Sequence, residues 1–510
     1  MNKVIILDFG SQYTQLIARK TRELGVYSEI LSFKESISRI KREKPAAIIL
    51  SGGPRSVYEE DSPRISEDLL NLEIPILGIC YGLQLIAFLS GGKVVPARKR
   101  EYGFASLMVL DRKGVLSGIR DDSQVWMSHG DLIQKIPEGF LVSGKTANCR
   151  ATVVEDRKRK LYGVQFHPEV IHTKQGTKIL SNFLFSQAGL KPDWKLGAFI
   201  KAKVHEIRDD VGGQKVICGL SGGVDSLVTS LIVHKAVGDQ LVCVYVDNGL
   251  LRKGQYKELM QQFQKKFKLY VHGVEAADRF LRRLKGVVSP ERKRKIIGKE
   301  FIHIFEEEAA RIGDVSHLAQ GTIYPDVIES NPVKGPSAKI KSHHNVGGLP
   351  SGLKFKLIEP LKELFKDEVR ALAFDMGIER EFVLQHPFPG PGLAVRIVGE
   401  VTKERLRILR ETDDILLQEV RRARIYHKLW QAFAVLLPVR SVGVMGDRRT
   451  YQRVVVLRLV QSMDGMTANW FEADHRVLSR ISNRIVNEVE GVNRVVYDIT
   501  TKPPGTIEWE

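Results

Sequence analysis

Pro75-Ile76-Leu77-Gly78-Ile79-Cys80-Tyr81-Gly82-Leu83-Gln84 changes its pattern halfway along. Pro75–Ile79 is a short apolar run of strand length, and Leu83–Leu89 opens a stretch of helical character. Between them two glycines flank a cysteine, so the chain passes from strand to helix through a turn too tight for side chains at 78 and 82. A strand that feeds a helix starts a βαβ unit. The alternation recurs, with candidate strands at Val4–Leu7, Ala46–Leu50 and Leu161–Val164, then at Val216–Leu220, Leu241–Val246 and His317–Ala319. Such spacing predicts parallel sheets of the α/β class.

Two breaks divide the series. Ala188-Gly189-Leu190-Lys191-Pro192-Asp193-Trp194 is punctuated like a linker. Pro387-Phe388-Pro389-Gly390-Pro391-Gly392 is neither helix nor central strand. Beyond it the pattern predicts a charged helix over Lys403–Arg424, a strand at Val454–Val460, a helix over His475–Glu490 and a strand at Val495–Ile499. The expectation is therefore two parallel-sheet α/β domains, 1–188 and 189–385, followed by a small α+β domain, 386–510. There is no internal repeat and no low-complexity tract.

Bulk composition is compatible with this. At 510 residues, with 43% hydrophobic and 27% charged residues, the chain is long enough for several packed cores. No apolar run reaches membrane-spanning length. The start, Met1-Asn2-Lys3-Val4-Ile5-Ile6-Leu7-Asp8, reads as a first strand and not as a signal peptide. Cys80, Cys149, Cys218 and Cys243 follow neither metal nor disulfide spacing, which favours a reducing cytoplasm. The net charge of +18 favours anionic partners. Nucleic acid, phosphate-rich small molecules and a merely basic solvated surface all satisfy it.

The turn at Cys80 places a thiol near a helix N-terminus, where the thiolate is favoured. Ser51-Gly52-Gly53-Pro54 follows another strand and offers backbone N–H groups to a developing oxyanion, each worth about 2.7–4 kcal/mol in comparable sites. Gly163-Val164-Gln165-Phe166-His167-Pro168-Glu169 supplies a base and a carboxylate to orient it. Taken singly, Cys80 reads as a core thiol and His167 as a satisfied surface histidine; taken together they read as an acyl-transfer site. Gly-Ile-Cys-Tyr-Gly-x-Gln with a downstream His-Pro-Glu closely resembles the class I, triad-type glutamine amidotransferases. The resemblance implies that Cys80 attacks the glutamine amide, His167 shuttles the proton and Glu169 orients His167. It implies too that Gly53, Tyr81, Gln84, His129 and Asp131 form the oxyanion and glutamine site, the last two within Ser128-His129-Gly130-Asp131.

Ser221-Gly222-Gly223-Val224-Asp225-Ser226 lies between strand Val216–Leu220 and a helix over Leu227–Ala236. Consecutive small residues there form an anion nest at a helix N-terminus, and the absence of Gly-Lys-Ser/Thr excludes a Walker loop. The segment resembles the signature of the ATP pyrophosphatases, of adenine-nucleotide α-hydrolase-like fold. That resemblance implies that the loop grips pyrophosphate. Val244-Tyr245-Val246-Asp247-Asn248 would meet adenosine, Gly321-Thr322-Ile323-Tyr324-Pro325-Asp326 would follow a third strand, and Mg2+ would accompany ATP. Asp326 and Glu329 are candidate contacts for metal and pyrophosphate. Lys339–Gly348, containing Lys341, His343, His344 and Asn345, is a lid by the same resemblance; read alone, the adjacent histidines would be a poor metal site.

His386–Leu393 and the terminal Lys502-Pro503-Pro504-Gly505-Thr506-Ile507-Glu508-Trp509-Glu510, with the module order, resemble the glutamine-hydrolysing GMP synthetases over the full chain. This implies ATP-dependent amination of XMP to GMP through an adenylyl-XMP intermediate, releasing AMP, pyrophosphate and glutamate. Arg294, Asp447, Lys502, Ile507 and Glu508 are the implied XMP contacts, and residues 386–510 the implied dimerisation domain of a homodimer. No nucleic acid or membrane partner is implied. On its own, Ser289-Pro290-Glu291-Arg292-Lys293-Arg294 reads as a solvated helix face, the tail as a frayed terminus, and the Pro/Gly loop as a source of exposed N–H groups for a nucleotide phosphate. An RNA-modifying adenylase shares the Ser221 loop but leaves Cys80, His167 and Glu169 without work. A nucleotide-sensing scaffold that has lost its chemistry predicts substitutions at those positions, and there are none.

Overall fold

The computed structural model describes residues 3–330, 355–462, 465 and 467–510. They fall into two compact units that meet in sequence at Leu196 and Gly197.

The first unit is built on nine strands: β1 (Lys3–Asp8), β2 (Tyr27–Ser32), β3 (Ala47–Leu50), β4 (Ile76–Ile79), β5 (Lys93–Val109), β6 (Ser123–Lys135), β7 (Leu141–Lys145), β8 (Val153–Asp156) and β9 (Leu161–Val164). Their order is β2-β1-β3-β4-β9-β8-β7-β5-β6. The five strands from β2 to β9 pair in parallel, and β8, β7, β5 and β6 continue the sheet antiparallel. β3 and β4 are buried at every residue, as strands covered on both faces must be. The antiparallel arm departs from the all-parallel expectation. Around Arg98-Lys99-Arg100-Glu101 its β5 is charged and lacks a simple apolar alternation, so periodicity misses it.

The stretch 188–194, expected as a linker, is pinned down. Trp194 donates its N–H to the Gly25 carbonyl at 2.9 Å, and its ring lies 4.9 Å from that of Tyr27.

The second unit opens with a five-stranded parallel sheet, β10 (Lys215–Leu220), β11 (Leu241–Asp247), β12 (Val271–Glu275), β13 (Val315–Ala319) and β14 (Lys356–Ile358), ordered β12-β11-β10-β13-β14. Strand order reverses beside β10, so the carboxyl ends of β10 and β13 flank a crevice, the usual ligand position in doubly wound sheets. A smaller sheet follows, with β15 (Gln431–Met445), β16 (Arg448–Gln461), β17 (Asn469–Trp470) and β18 (Val492–Tyr497). β18 lies parallel to β16, and helices Lys403–Arg422 and His475–Glu488 cover the sheet. One apolar cluster joins Ile217, Val244 and Ile304 to Leu406, Leu416, Val455 and Ile481.

One local reading is corrected. The helix Pro290–Ile312 is not merely a solvated face, because Lys293 is fully buried and donates to the carbonyls of Ala394 (3.1 Å) and Ile397 (2.6 Å). In the Pro/Gly loop two N–H groups are engaged within the fold, Gly392 N–H with Pro389 O and Leu393 N–H with Leu250 O, both at 2.8 Å, and Gly390 is exposed.

Candidate active sites

In the first unit β3, β4 and β9 are parallel neighbours, so their carboxyl ends open on one edge of the sheet. Those ends lead into Ser51-Gly52-Gly53, Cys80 and Gln165-Phe166-His167. Three segments separated by up to about a hundred residues therefore converge by topology alone. Cys80 adopts φ +53° and ψ −106°, a conformation that costs a non-glycine residue on the order of 1–3 kcal/mol. Its neighbours make the turn possible: a Cβ on Gly78 would stand 2.5 Å from the Gly82 backbone, and one on Gly82 would strike the Leu50 carbonyl. Helix Tyr81–Leu89 begins one residue after the thiol, so the Tyr81 N–H has no acceptor inside the helix.

His167 and Glu169 are both buried, with Nδ1 2.7 Å from Glu169 Oε1. Burial works against the imidazolium. The Glu169 charge and a hydrogen bond with Cys80 outweigh it, and the pKa of His167 is raised well above its ordinary value. The ring is held further by its backbone N–H to Trp126 O at 3.0 Å and by an edge contact with Tyr13, centroids 4.9 Å apart. The thiol rests among Ser128 O and Gln165 Nε2, each 3.6 Å from Sγ. Gln84 Nε2 braces Gln165 Oε1 at 3.2 Å and approaches Asp131 O at 3.4 Å.

Asp131 accepts from Ser56 Oγ at 2.5 Å and Tyr58 OH at 2.9 Å, which ties its segment to the loop after β3. Gly53 lies against Tyr81; a Cβ there would come within 3.1 Å of that ring. The predicted residues thus gather around one thiol, with one difference. His129 has both ring nitrogens engaged in the wall, Nδ1 at 2.8 Å from Asp131 O and Nε2 at 3.2 Å from Glu101, so it has no nitrogen to offer a substrate. Sequence reasoning assigned no part to Gln165 and Tyr13, although Gln165 lies inside the quoted Gly163–Glu169 segment.

The loop after β10 is the second site. Gly222 takes φ +82°, and Ser221 and Ser226 close the turn through Ser221 N–H to Ser226 Oγ at 3.1 Å and a 3.0 Å hydroxyl contact. Helix Val224–Val237 starts here, leaving the first N–H groups without helical acceptors. Gly321, after β13, packs so closely that a Cβ would reach within 3.0 Å of the Asp225 carbonyl carbon. Asp225 Oδ2 accepts from Lys366 Nζ at 2.6 Å, while its Oδ1 is buried without a partner among the described residues. Lys366, missed from sequence, had a signal: it opens helix Lys366–Asp375, where a cation opposes the helix dipole, and its partner explains the exception. Asp326 Oδ2 caps its own turn by accepting Ile323 N–H at 3.0 Å. Lys341, His343, His344 and Asn345 lie outside the described residues, as does the side chain of Glu329.

The terminal segment is anchored rather than frayed. Glu508 receives Arg396 Nη2 at 2.9 Å, Arg396 Nε at 3.2 Å and Gln431 Nε2 at 2.8 Å. Glu510 receives Lys293 Nζ at 2.5 Å, and Arg294 donates to its carbonyl. Arg458, also fully buried, holds the carbonyls of Thr500 (2.6 Å) and Thr506 (3.1 Å). Ile507 packs against Phe433, Val435 and Val456, and Lys502 Nζ donates to Gly465 O at 2.7 Å. Arg294, Lys502, Ile507 and Glu508 therefore belong to one anchored segment. Asp447 does not join them. It sits exposed at the tip of the β15–β16 hairpin, whose other end, at Gln431, holds Glu508.

Comparison with known proteins agrees with this layout. The family "Glutamine amidotransferase class-I" matches residues 5–187, "NAD synthase" residues 194–288 and "GMP synthase C terminal domain" residues 418–509. Among curated relatives, the "GMP synthase [glutamine-hydrolyzing]" of Brachyspira hyodysenteriae is 54% identical, covering 100% of this chain and 99% of that protein. Its counterpart in Carboxydothermus hydrogenoformans is 55% identical with 100% of both chains covered, and that of Nitratiruptor is 55% identical with 99% of both. With a thiol site, a pyrophosphate-type loop and identity above one half along the whole length, the chain belongs to the glutamine-hydrolysing GMP synthase family.

Proposed function

We propose that the chain carries out ATP-dependent amination of XMP to GMP, with ammonia released from glutamine at Cys80 and adenylation directed by the loop at Ser221. The convergence of Cys80, His167 and Glu169 on neighbouring strand ends carries the first half of this reading. In it, the Cys80 thiolate adds to the glutamine amide carbon, and the N–H groups of Tyr81 and Gly53 face the developing oxyanion. His167 gives its proton to the departing ammonia, and Glu169 keeps the ring oriented. Water then cleaves the thioester to glutamate. Gln84 and Asp131 hold the substrate, and His129 supports their segment.

For the second half, Ser221, Gly222, Gly223, Val224, Asp225 and Ser226 hold the pyrophosphate portion of ATP. The purine 2-oxygen takes the adenylyl group, which turns a poor leaving group into AMP, and ammonia displaces it. Mg2+ suits the buried free oxygen Asp225 Oδ1, since this ion takes carboxylate donors, and when bound it neutralises polyphosphate charge. The lid role of Lys341, His343, His344 and Asn345 remains part of this proposal.

The division into 1–188, 189–385 and 386–510 accompanies it, as does a homodimer. Val444 (73% exposed) and Tyr451 (62% exposed) leave an apolar hairpin uncovered in one copy. The proposal assigns Asp447, at its exposed tip, to the XMP site together with Arg294, Lys502, Ile507 and Glu508. Among the described residues no helix is long and apolar enough to cross a membrane, and the proposed compartment is the cytoplasm.

The direct assay incubates the purified chain with XMP, ATP, Mg2+ and glutamine, and follows loss of XMP absorbance with formation of GMP, AMP and glutamate. No GMP under these conditions contradicts the reading. A second expectation concerns pH. The His167 imidazolium persists above the ordinary histidine range chiefly because Glu169 is charged, in opposition to burial. Glu169→Gln removes that charge, so His167 loses its proton at lower pH. The alkaline limb of the glutamine-hydrolysis profile is expected to move to lower pH, and an unmoved limb would show that another group sets it.

A further inference from the structure

Behind the glutamine-holding segment lies a buried trio that the proposed chemistry does not use. Glu101 and His129 are direct cross-strand partners on β5 and β6, and Cys149 follows in the turn after β7. They are 7%, 5% and 1% exposed, and one ligand atom from each lies within 4.8 Å of the other two.

One hydrogen bond fixes the tautomer of the neutral ring. His129 Nδ1 meets the Asp131 carbonyl, which only accepts, so Nδ1 carries hydrogen. In the neutral ring Nε2 is then a bare lone pair, and it faces the Glu101 Oε2 carboxylate oxygen at 3.2 Å. Two acceptors turned toward each other in a buried wall require a cation between them. A proton meets that requirement for the pair. A metal ion meets it as well, with Cys149 as a third ligand.

We propose that Glu101 Oε2, His129 Nε2 and Cys149 Sγ form a binding site for a zinc-class divalent ion in the wall of the first unit. Tetrahedral zinc with bonds of about 2.0–2.3 Å sets its ligands about 3.3–3.8 Å apart. The observed Nε2–Oε2 separation already matches such an edge. The supporting contacts are those that metal sites need. The Asp131 carbonyl fixes the tautomer of His129, and Thr146 Oγ1 donates to both oxygens of Glu101, at 3.0 and 3.2 Å. Thr146 Oγ1 also accepts the Cys149 N–H at 3.1 Å, so one turn aligns two of the ligands.

A surface pocket of about 270 Å³ lies against one member of the trio, Glu101, and is lined also by Arg100, Met127, Ala147 and Asn148. Uptake of the ion forms one sulfur–metal bond and releases the thiol proton to solvent.

The test uses the full chain as Cys80→Ala, which removes the other thiol that lies beside an imidazole. After chelator treatment and dialysis the protein is titrated with Co2+ alone. The proposal expects one equivalent to bind with a thiolate-to-cobalt absorption in the near ultraviolet, displaced by Zn2+ and lost in Cys149→Ser and Glu101→Gln. Absorption that survives Cys149→Ser would place the metal elsewhere and overturn the proposal, and so would no absorption at all, leaving a proton as the shared cation. Should those variants fail to fold, zinc X-ray absorption of the loaded Cys80→Ala protein decides. One sulfur at about 2.3 Å with nitrogen and oxygen at about 2.0–2.2 Å supports the site, and a shell without sulfur refutes it.

Discussion

Cys80→Ala is expected to abolish GMP formation from glutamine, by on the order of a thousandfold or more, while formation from ammonium salts stays within about twofold. The asymmetry follows from the division of work between the two sites. Without Sγ nothing at the end of β4 can form the thioester, and the remaining N–H groups of Tyr81 and Gly53 have no adduct to stabilise. The loop at Ser221 belongs to the other compact unit and keeps its own hydrogen bonds. Alanine also fits the site, because among the described residues the thiol makes two 3.6 Å polar contacts, to Ser128 O and Gln165 Nε2, beside the His167 imidazole. Initial rates of GMP formation with each nitrogen source measure the effect. Equal loss with glutamine and ammonium would contradict the separation of roles.

Asp225→Ala is expected to give the complementary defect: AMP formation falls by on the order of a hundredfold or more, and glutamine hydrolysis persists. The substitution removes the partner of Lys366 at 2.6 Å and, at the helix N-terminus, the oxygen Oδ1 that has no partner among the described residues. Lys366 then loses its fixed position near the nest, and the carboxylate proposed for Mg2+ is gone. Chromatography of AMP and glutamate from the same reaction separates the two activities. Undiminished AMP release would remove the Ser221 loop from the adenylation site.

Much of this was readable where function depends on neighbours in sequence. Gly78–Gln84 and Ser221–Ser226 are each one turn between a strand and a helix, and their glycines and apolar flanks encode the turn locally. That His167 would stand beside Cys80 was inferable from its position after another strand, but the adjacency of β4 and β9 is a property of sheet order.

The unread parts depend on distant pairings. Arg396 and Glu508 are 112 residues apart, and nothing near either announces the pair. Lys293 looks like one more basic residue in Glu291-Arg292-Lys293-Arg294 until two buried carbonyls and the Glu510 carboxylate surround it. β15 escaped because Pro438 interrupts it and its register shifts between Leu436 and Arg440. The exposed place of Asp447 could not be anticipated either, since hairpin length became visible only with β15.

The account turns on the claim that the purine oxygen, once adenylated, leaves with AMP when ammonia arrives. XMP labelled with ¹⁸O at the purine 2-position tests this in a single turnover with ATP, Mg2+ and glutamine. Mass spectrometry is expected to find the label in the phosphate of AMP. Label in water or pyrophosphate, with AMP unlabelled, would contradict it.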